Sequence, residues 1–140
     1  MIDIDISTPF GKRVHDRLQQ DRIVWLVTVD GAGTPQPSPV WFYWTGEWIV
    51  IYSQPDTPKL RNIARNARVA VHFDGDAYGN DIVVMTGSAV VDESNPAANS
   101  VPAYIAKYHD GIQSFGMTNE SFAQDFRVPI RFTPEKLRGY

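Results

Sequence analysis

Residues 36–53 read Q-P-S-P-V-W-F-Y-W-T-G-E-W-I-V-I-Y-S, and this stretch decides the fold. Two β-branched and aromatic runs, 36–44 and 47–53, flank Thr45-Gly46, a connection short enough to join antiparallel strands. Pro39 has no N–H to donate to a ladder, so its strand is expected at an edge or a bulge, with backbone groups left for a ligand. A similar run at 23–29 precedes the turn-forming residues 30–35, and we expect the three strands to form a meander.

The rest of the chain continues the pattern of short strands and short helices. Strands are predicted at 69–73, 82–91 and 128–133, and Gly87 indicates a bulge in the long one. Helices are predicted after Ser7-Thr8-Pro9, over 57–64 with Thr57 as the cap, over 101–108, and as a short turn around 122–126. Six strands joined mostly by hairpins predict a mainly β fold, a single antiparallel barrel domain over residues 1–140.

Composition excludes several classes of function. The 140 residues contain no cysteine, so disulfides, thiolate nucleophiles and iron–sulfur clusters are excluded. A net charge of −3 without a basic block argues against nucleic acid as a partner. No apolar run is long enough for a membrane span, and the start Met-Ile-Asp-Ile-Asp does not look like a signal peptide, so a cytoplasmic protein is expected. His15, His72 and His109 are too scattered for a catalytic metal site.

The start of the helix at 57–64 has an unusual charge pattern. Lys59 and Arg61 occupy its first turn, where the helix dipole already disfavours cations. A phosphate bound to the free N–H groups, the Thr57 hydroxyl and the Lys59 ammonium would turn this penalty into an attraction. The alternative is that both side chains extend into water. Phe42 and Trp44, in the aromatic run before it, are expected in the core or an interface.

An ordered set of motifs resembles the pyridoxamine 5'-phosphate oxidase-like family, and within it the actinobacterial branch that uses the deazaflavin coenzyme F420. The motifs are S-P-V-W-F at 38–42, I-Y-S-Q at 51–54, T-P-K-L-R-N-I at 57–63, N-A-R-V-A-V at 66–71 and D-I-V-V-M-T-G-S-A at 81–89. The resemblance implies a six-stranded split β-barrel homodimer that holds its cofactors in grooves between protomers.

The resemblance also implies a cofactor site. Lys59 matches the family's phosphate-binding lysine, and Thr57 stands where many relatives have a second basic residue, which implies weaker affinity. The expected cofactor-binding residues are Ser38, Pro39, Val40, Trp41, Ser53, Gln54, Thr57, Lys59, Arg61 and Asn62.

The function implied is hydride transfer between F420 and a small unsaturated or carbonyl-bearing substrate. The alternatives are an FMN-binding oxidoreductase of the same fold and a cofactor carrier with little turnover. No catalytic residue is assigned, because the cofactor performs the bond chemistry. The proton donor could be Tyr43, Tyr52 or water.

Overall fold

The computed structural model describes residues 2–140, which form one curled antiparallel sheet with short helices around it. The strands are β1 (Val24–Val29), β2 (Pro35–Val40), β3 (Tyr43–Trp44), β4 (Ile49–Ser53), β5 (Arg68–His72), β6 (Val83–Val91) and β7 (Val128–Gly139). The helices are α1 (Pro9–Gln20), α2 (Pro58–Arg65), α3 (Pro102–Ser114) and α4 (Asn119–Asp125), with a 3-10 turn at Ala98–Ser100. No helix within residues 2–140 is long and apolar enough to cross a membrane.

The strand order forces the sheet to curl. Neighbouring strands follow the order β2-β1-β5-β6-β7-β4-β3, so β2 and β3 lie at opposite edges of the sheet. These two edge strands are nevertheless joined by only Trp41 and Phe42. Three residue steps span at most about 11 Å, so the two edges must approach each other. The result is a barrel that is open between its two edge strands, which the chain joins but which do not pair with each other. We call this opening, which runs along β2, the split of the barrel.

The strand count corrects the sequence prediction, which had six strands and a three-strand meander. Residues 36–44 were expected to form one strand that pairs with both of its neighbours, but they divide at Trp41–Phe42, so that β2 pairs with β1 and β3 pairs with β4. Side chains from α3 hold the break: the Phe42 N–H donates to the Tyr108 hydroxyl at 2.9 Å, and Lys107 Nζ donates to the Phe42 carbonyl at 3.2 Å. The expectation that Pro39 lies on an edge strand is confirmed.

Two hydrophobic clusters share strand β4. Its residues Ile49 and Ile51 face the barrel interior, where they pack with α1 and with Phe42 and other inward side chains. Val50 and Tyr52 point outward and are covered by α3 and α4. Because both faces of β4 are buried, α3 and α4 are fixed against the outside of the barrel beside the split.

The predicted bulge at Gly87 is confirmed. The register of β6 against β7 shifts between Thr86 and Gly87, and Gly87 lies opposite Pro134. A Cβ at Gly87 would lie 2.1 Å from the Thr133 carbonyl oxygen, so only glycine fits. The bulge also accommodates a proline within β7, which continues to Gly139 instead of ending at Thr133 as predicted.

Helix α2 occupies the predicted place after β4, with Ile63 in the barrel core. Thr57 is at the N-cap position, but its side chain makes no capping hydrogen bond, which corrects the predicted role of its hydroxyl. Thr57 Oγ1 instead lies 3.1 Å from Ser53 Oγ. The hydroxyl therefore faces the end of β4 and the split of the barrel.

Candidate functional site

A cavity of about 260 Å³ opens at the split of the barrel. The edge strand β2 supplies one side, the end of β4 and the start of α2 a second, and α3 and α4 a third. The lining residues are Pro39, Val40, Trp41, Tyr52, Ser53, Gln54, Thr57, Lys59, Phe115, Phe122 and Phe126. Because β2 has no strand partner on this side, its backbone polar groups can bind a ligand there.

One side of the cavity is polar and cationic. We call Ser53, Gln54, Thr57 and Lys59 the polar wall. Ser53 is buried and donates a hydrogen bond to the Gln54 carbonyl at 2.7 Å, which leaves its oxygen to accept from Thr57. Asp56, in the turn that carries these residues, has a left-handed φ of 61°. Asp tolerates this conformation at a modest cost, and such backbone is common where a loop is shaped for a ligand.

Lys59 is a half-buried cation. No carboxylate within residues 2–140 forms an ion pair with it. Burial lowers the pKa of its ammonium, because the surrounding protein solvates the charge less well than water does. Its backbone N–H also points out of the first turn of α2, where helix N–H groups have no intrahelical acceptor. Both groups suit an anion.

A second cavity, of about 350 Å³, meets the first at Lys59. Its lining is mostly polar and comprises Thr28, Asp30, Gln36, Pro37, Ser38, Pro58, Lys59 and Asn62. The buried Asn62 amide donates to Thr28 Oγ1 at 3.0 Å, which ties α2 to β1 beneath this cavity. Lys59 therefore lines both a cavity with mostly polar side chains and a largely apolar one.

The apolar part of the first cavity is built from stacked rings. We call Trp41, Phe115, Phe122 and Phe126 the aromatic wall. The Trp41 ring lies 5.9 Å from Phe115 and 5.5 Å from Phe122, and Phe122 stacks on Phe126 at 4.5 Å. Trp41 is held from behind by Tyr108, at 4.6 Å and nearly parallel. This wall suits a planar apolar group.

The two tyrosines considered as proton donors are both engaged elsewhere. The Tyr52 hydroxyl donates to the Pro96 carbonyl at 2.6 Å and accepts from the Asn95 amide at 3.0 Å. The Tyr43 hydroxyl donates to Asn95 Oδ1 at 3.4 Å. Burial raises the pKa of Tyr52 well above its usual range. Neither hydroxyl is therefore free to deliver a proton into the cavity.

The structure brings most of the predicted site residues together. Seven of them line the first cavity: Pro39, Val40, Trp41, Ser53, Gln54, Thr57 and Lys59. Ser38 and Asn62 line the second cavity. Arg61 lines neither; its guanidinium donates to the Asp56 carbonyl at 2.8 Å and so supports the turn before α2.

Sequence reasoning missed Phe115, Phe122 and Phe126, which come from the segment between β6 and β7. The spacing of Phe122 and Phe126 predicts a short helical turn, but it does not indicate which ring faces β2. Gly111 lets α3 approach the split closely, since a Cβ there would lie 3.1 Å from the Trp41 ring.

The family model for pyridoxamine 5'-phosphate oxidase matches residues 10–140, nearly the whole chain. The chain belongs to the pyridoxamine 5'-phosphate oxidase family. This assignment confirms the family resemblance that the motifs indicated. The comparison with curated proteins returned no match.

Solved structures show the same fold. An F420 reductase from Mycobacterium smegmatis superposes with a TM-score of 0.64 at 23% identity, over 89% of this chain and 94% of its own. A pyridoxamine 5'-phosphate oxidase-like protein from Listeria innocua gives 0.66 at 22% identity, over 91% and 94%. A heme storage protein from Vibrio cholerae gives 0.65 at 18% identity, over 94% and 95%. At these identities the likeness shows the fold, which carries different functions in different proteins.

Proposed function

We propose that this member of the pyridoxamine 5'-phosphate oxidase family is an oxidoreductase that binds F420, or alternatively FMN, and reduces a small unsaturated or carbonyl-bearing molecule. The observation that carries the proposal is the position of Lys59. This half-buried cation forms no ion pair within the described residues 2–140 and lines both a polar cavity and an aromatic one. A ligand with a planar apolar head and an anionic phosphate-bearing tail would match these two environments.

The polar wall and the start of α2 would hold the phosphate. The Lys59 ammonium supplies charge, the Lys59 N–H supplies a donor at the positive end of the helix dipole, and the Thr57 hydroxyl lies beside them. An anion here would also restore the pKa of the lysine towards its ordinary value. With only one cation at this position, the affinity for the phosphate is moderate.

The edge strand and the aromatic wall would orient the planar head. Pro39 and Val40 belong to the edge strand, Trp41 follows them, and all three line the cavity, where the rings of α3 and α4 would shield the head from water. The bound coenzyme supplies hydride chemistry, and the protein supplies position and polarity. Because the hydroxyls of Tyr43 and Tyr52 are engaged, the proton for the reduced product comes from water.

Heme storage, the activity of the Vibrio relative, fits this site less well. Heme iron in proteins is held by His, Cys, Met or Tyr. The residues that line the first cavity include no His or Met, and the one tyrosine, Tyr52, has its hydroxyl tied to Pro96 and Asn95. A flavin or deazaflavin needs no such axial ligand.

We propose that the protein forms a homodimer through the outward face of its sheet. On the outward face of the sheet, Trp25, His72 and Val84 lie side by side in register, as do Val27 and Ala70. All five are partly exposed although they are mostly apolar. A second copy would cover this face. Analytical ultracentrifugation should give twice the mass of one chain, and the mass of one chain would contradict the proposal.

Titration of the purified protein with F420, FMN and hemin tests the cofactor assignment. We expect saturable binding of F420 or FMN, seen in their absorption and fluorescence, and reoxidation of the bound reduced coenzyme when an acceptor is added. Saturable binding without reoxidation would indicate a carrier. Binding of hemin alone would contradict the proposal.

A further inference from the structure

We infer that Asp30 determines which coenzyme tails this chain accepts, and that its carboxylate disfavours anionic groups attached beyond the phosphate. The inference rests on the proposed function, since it concerns the tail of the coenzyme held at Lys59. FMN ends at its phosphate, whereas F420 continues past its phosphate through a lactyl group into a chain of glutamates. We expect the affinity for F420 to fall as its tail gains carboxylates.

The second, polar cavity lies beside the first, aromatic one along two elements of the fold. On β2, residues 36–38 line the polar cavity, and the next two residues, 39–40, line the aromatic one. At the start of α2, Thr57 lines the aromatic cavity, Pro58 lines the polar one, and Lys59 lines both. With the planar head in the aromatic cavity and the phosphate at Lys59, a group attached to the far side of the phosphate would enter the polar cavity.

The Asp30 carboxylate is held in place by the turn between β1 and β2. Its Oδ1 accepts from the N–H groups of Ala32 and Thr34, both at 2.9 Å, and its Oδ2 accepts from the Gln36 amide at 3.0 Å. These hydrogen bonds, above all the one from the Thr34 N–H, lower the pKa of the Asp30 carboxyl. The Arg65 guanidinium adds a smaller attraction but does not line the cavity. Asp30 therefore stays ionised at neutral pH and keeps a fixed position in the cavity lining.

The charges in the polar cavity do not suit an anionic tail. Among the lining residues that the structure describes, Asp30 and Lys59 are the two charged ones. A phosphate at Lys59 would neutralise the cation, so the Asp30 carboxylate would be the charge left facing the tail. Carboxylates of the tail would be repelled by it, and the amide of Gln36 is already bonded to Asp30. Because Asp30 is partly exposed, the repulsion is modest and is screened by salt.

The test is a fluorescence titration with two forms of F420, one that ends at the lactyl group and one that carries two glutamates. Their heads are identical, so the ratio of the two dissociation constants reports the tail alone. At low ionic strength the wild type should bind the glutamate-bearing form about three- to fivefold more weakly. Asp30→Asn should bring the ratio close to one, because it removes the charge and keeps the Oδ1 acceptor of the turn. At 1 M ionic strength, where the Debye length is about 3 Å, the wild-type ratio should also approach one.

Two further variants separate the charge of Asp30 from its part in the turn. Gln36→Lys leaves Asp30 in place and adds a cation to the cavity lining, so it should also bring the ratio to one or below. Asp76→Asn is the matched control. Asp76 Oδ1 accepts from the N–H groups of Tyr78 and Asn80 at 2.8 and 2.9 Å, the same pattern as at Asp30, but Asp76 lines neither cavity. This variant should keep the wild-type ratio.

The outcomes distinguish this inference from the proposed function. A wild-type ratio of one or below at low ionic strength would overturn the inference alone, as would a ratio that Asp30→Asn and Gln36→Lys leave unchanged. If the wild type binds FMN but neither form of F420, both variants should admit F420, and its continued exclusion would overturn the inference. Failure of the wild type to bind F420 and FMN would refute the proposed function itself.

Discussion

Replacement of Lys59 by alanine is expected to weaken binding of the coenzyme. The ammonium is half-buried, forms no ion pair with a carboxylate of residues 2–140, and lines both the polar and the aromatic cavity. A hydrogen bond to a charged group contributes about 1.5–3 kcal/mol, so Lys59→Ala should weaken the binding of F420 or FMN roughly 10- to 150-fold. Fluorescence titration measures this directly. Lys136→Ala removes the same charge from an exposed position on β7 and serves as the matched control.

The same variant has a pH signature. Burial lowers the pKa of Lys59 in the free protein, and a bound phosphate would raise it again. The complex therefore retains the proton to higher pH than the free protein does, and affinity should fall as pH rises through the pKa of the free protein. Lys59→Ala should abolish this alkaline fall. Equal affinities of Lys59→Ala and Lys136→Ala, with the same pH profile, would refute the phosphate site.

Three further predictions concern the stability of the fold, measured as the free energy of unfolding in urea. Gly87→Ala should destabilise the fold by about 2–4 kcal/mol, since its Cβ would overlap the Thr133 carbonyl oxygen. Tyr108→Phe should cost about 1–3 kcal/mol, because the buried Phe42 N–H loses its acceptor. Burial lowers the pKa of Lys107 to about 8, so stability should rise between pH 8 and 10, where the unfolded chain holds a proton that the folded one has lost. Lys107→Met should reduce that rise, and Lys59, whose pKa burial also lowers, contributes what remains of it.

Each scaffold prediction has an outcome that would contradict it. Wild-type stability of Gly87→Ala would mean that the bulge can shift to admit a methyl group. If the free energy of unfolding of Tyr108→Phe equals that of the wild type, the Phe42 N–H forms a hydrogen bond to water in the variant. For Lys107, the comparison ends near pH 10, because the buried Tyr104 and Tyr108, whose pKa values burial raises, oppose the trend at higher pH. Parallel pH profiles of wild type and Lys107→Met between pH 8 and 10 would contradict the assignment.

Local chemistry made much of the fold predictable from the sequence. Gly87 predicted the bulge and Pro39 the edge strand, because each of these residues restricts the backbone by itself. Thr57-Pro58 placed the start of α2 for the same reason, although the Thr57 hydroxyl turned out to face Ser53.

The remaining features depend on contacts between distant parts of the chain. Residues 36–44 are a continuous strand-like run, and their division at Trp41–Phe42 is held by Lys107 and Tyr108 from α3. The aromatic wall is similar: the spacing of Phe122 and Phe126 predicts a helical turn, but the ring that meets Trp41 is decided by the packing of α3 and α4 on β4.

A crystal structure of the protein with bound F420 or FMN would test the central claim most directly. We expect the coenzyme phosphate within hydrogen-bond distance of Lys59 Nζ and the Lys59 N–H, with the planar head along Pro39, Val40 and Trp41. A phosphate bound elsewhere, with the head away from this edge of β2, would contradict it.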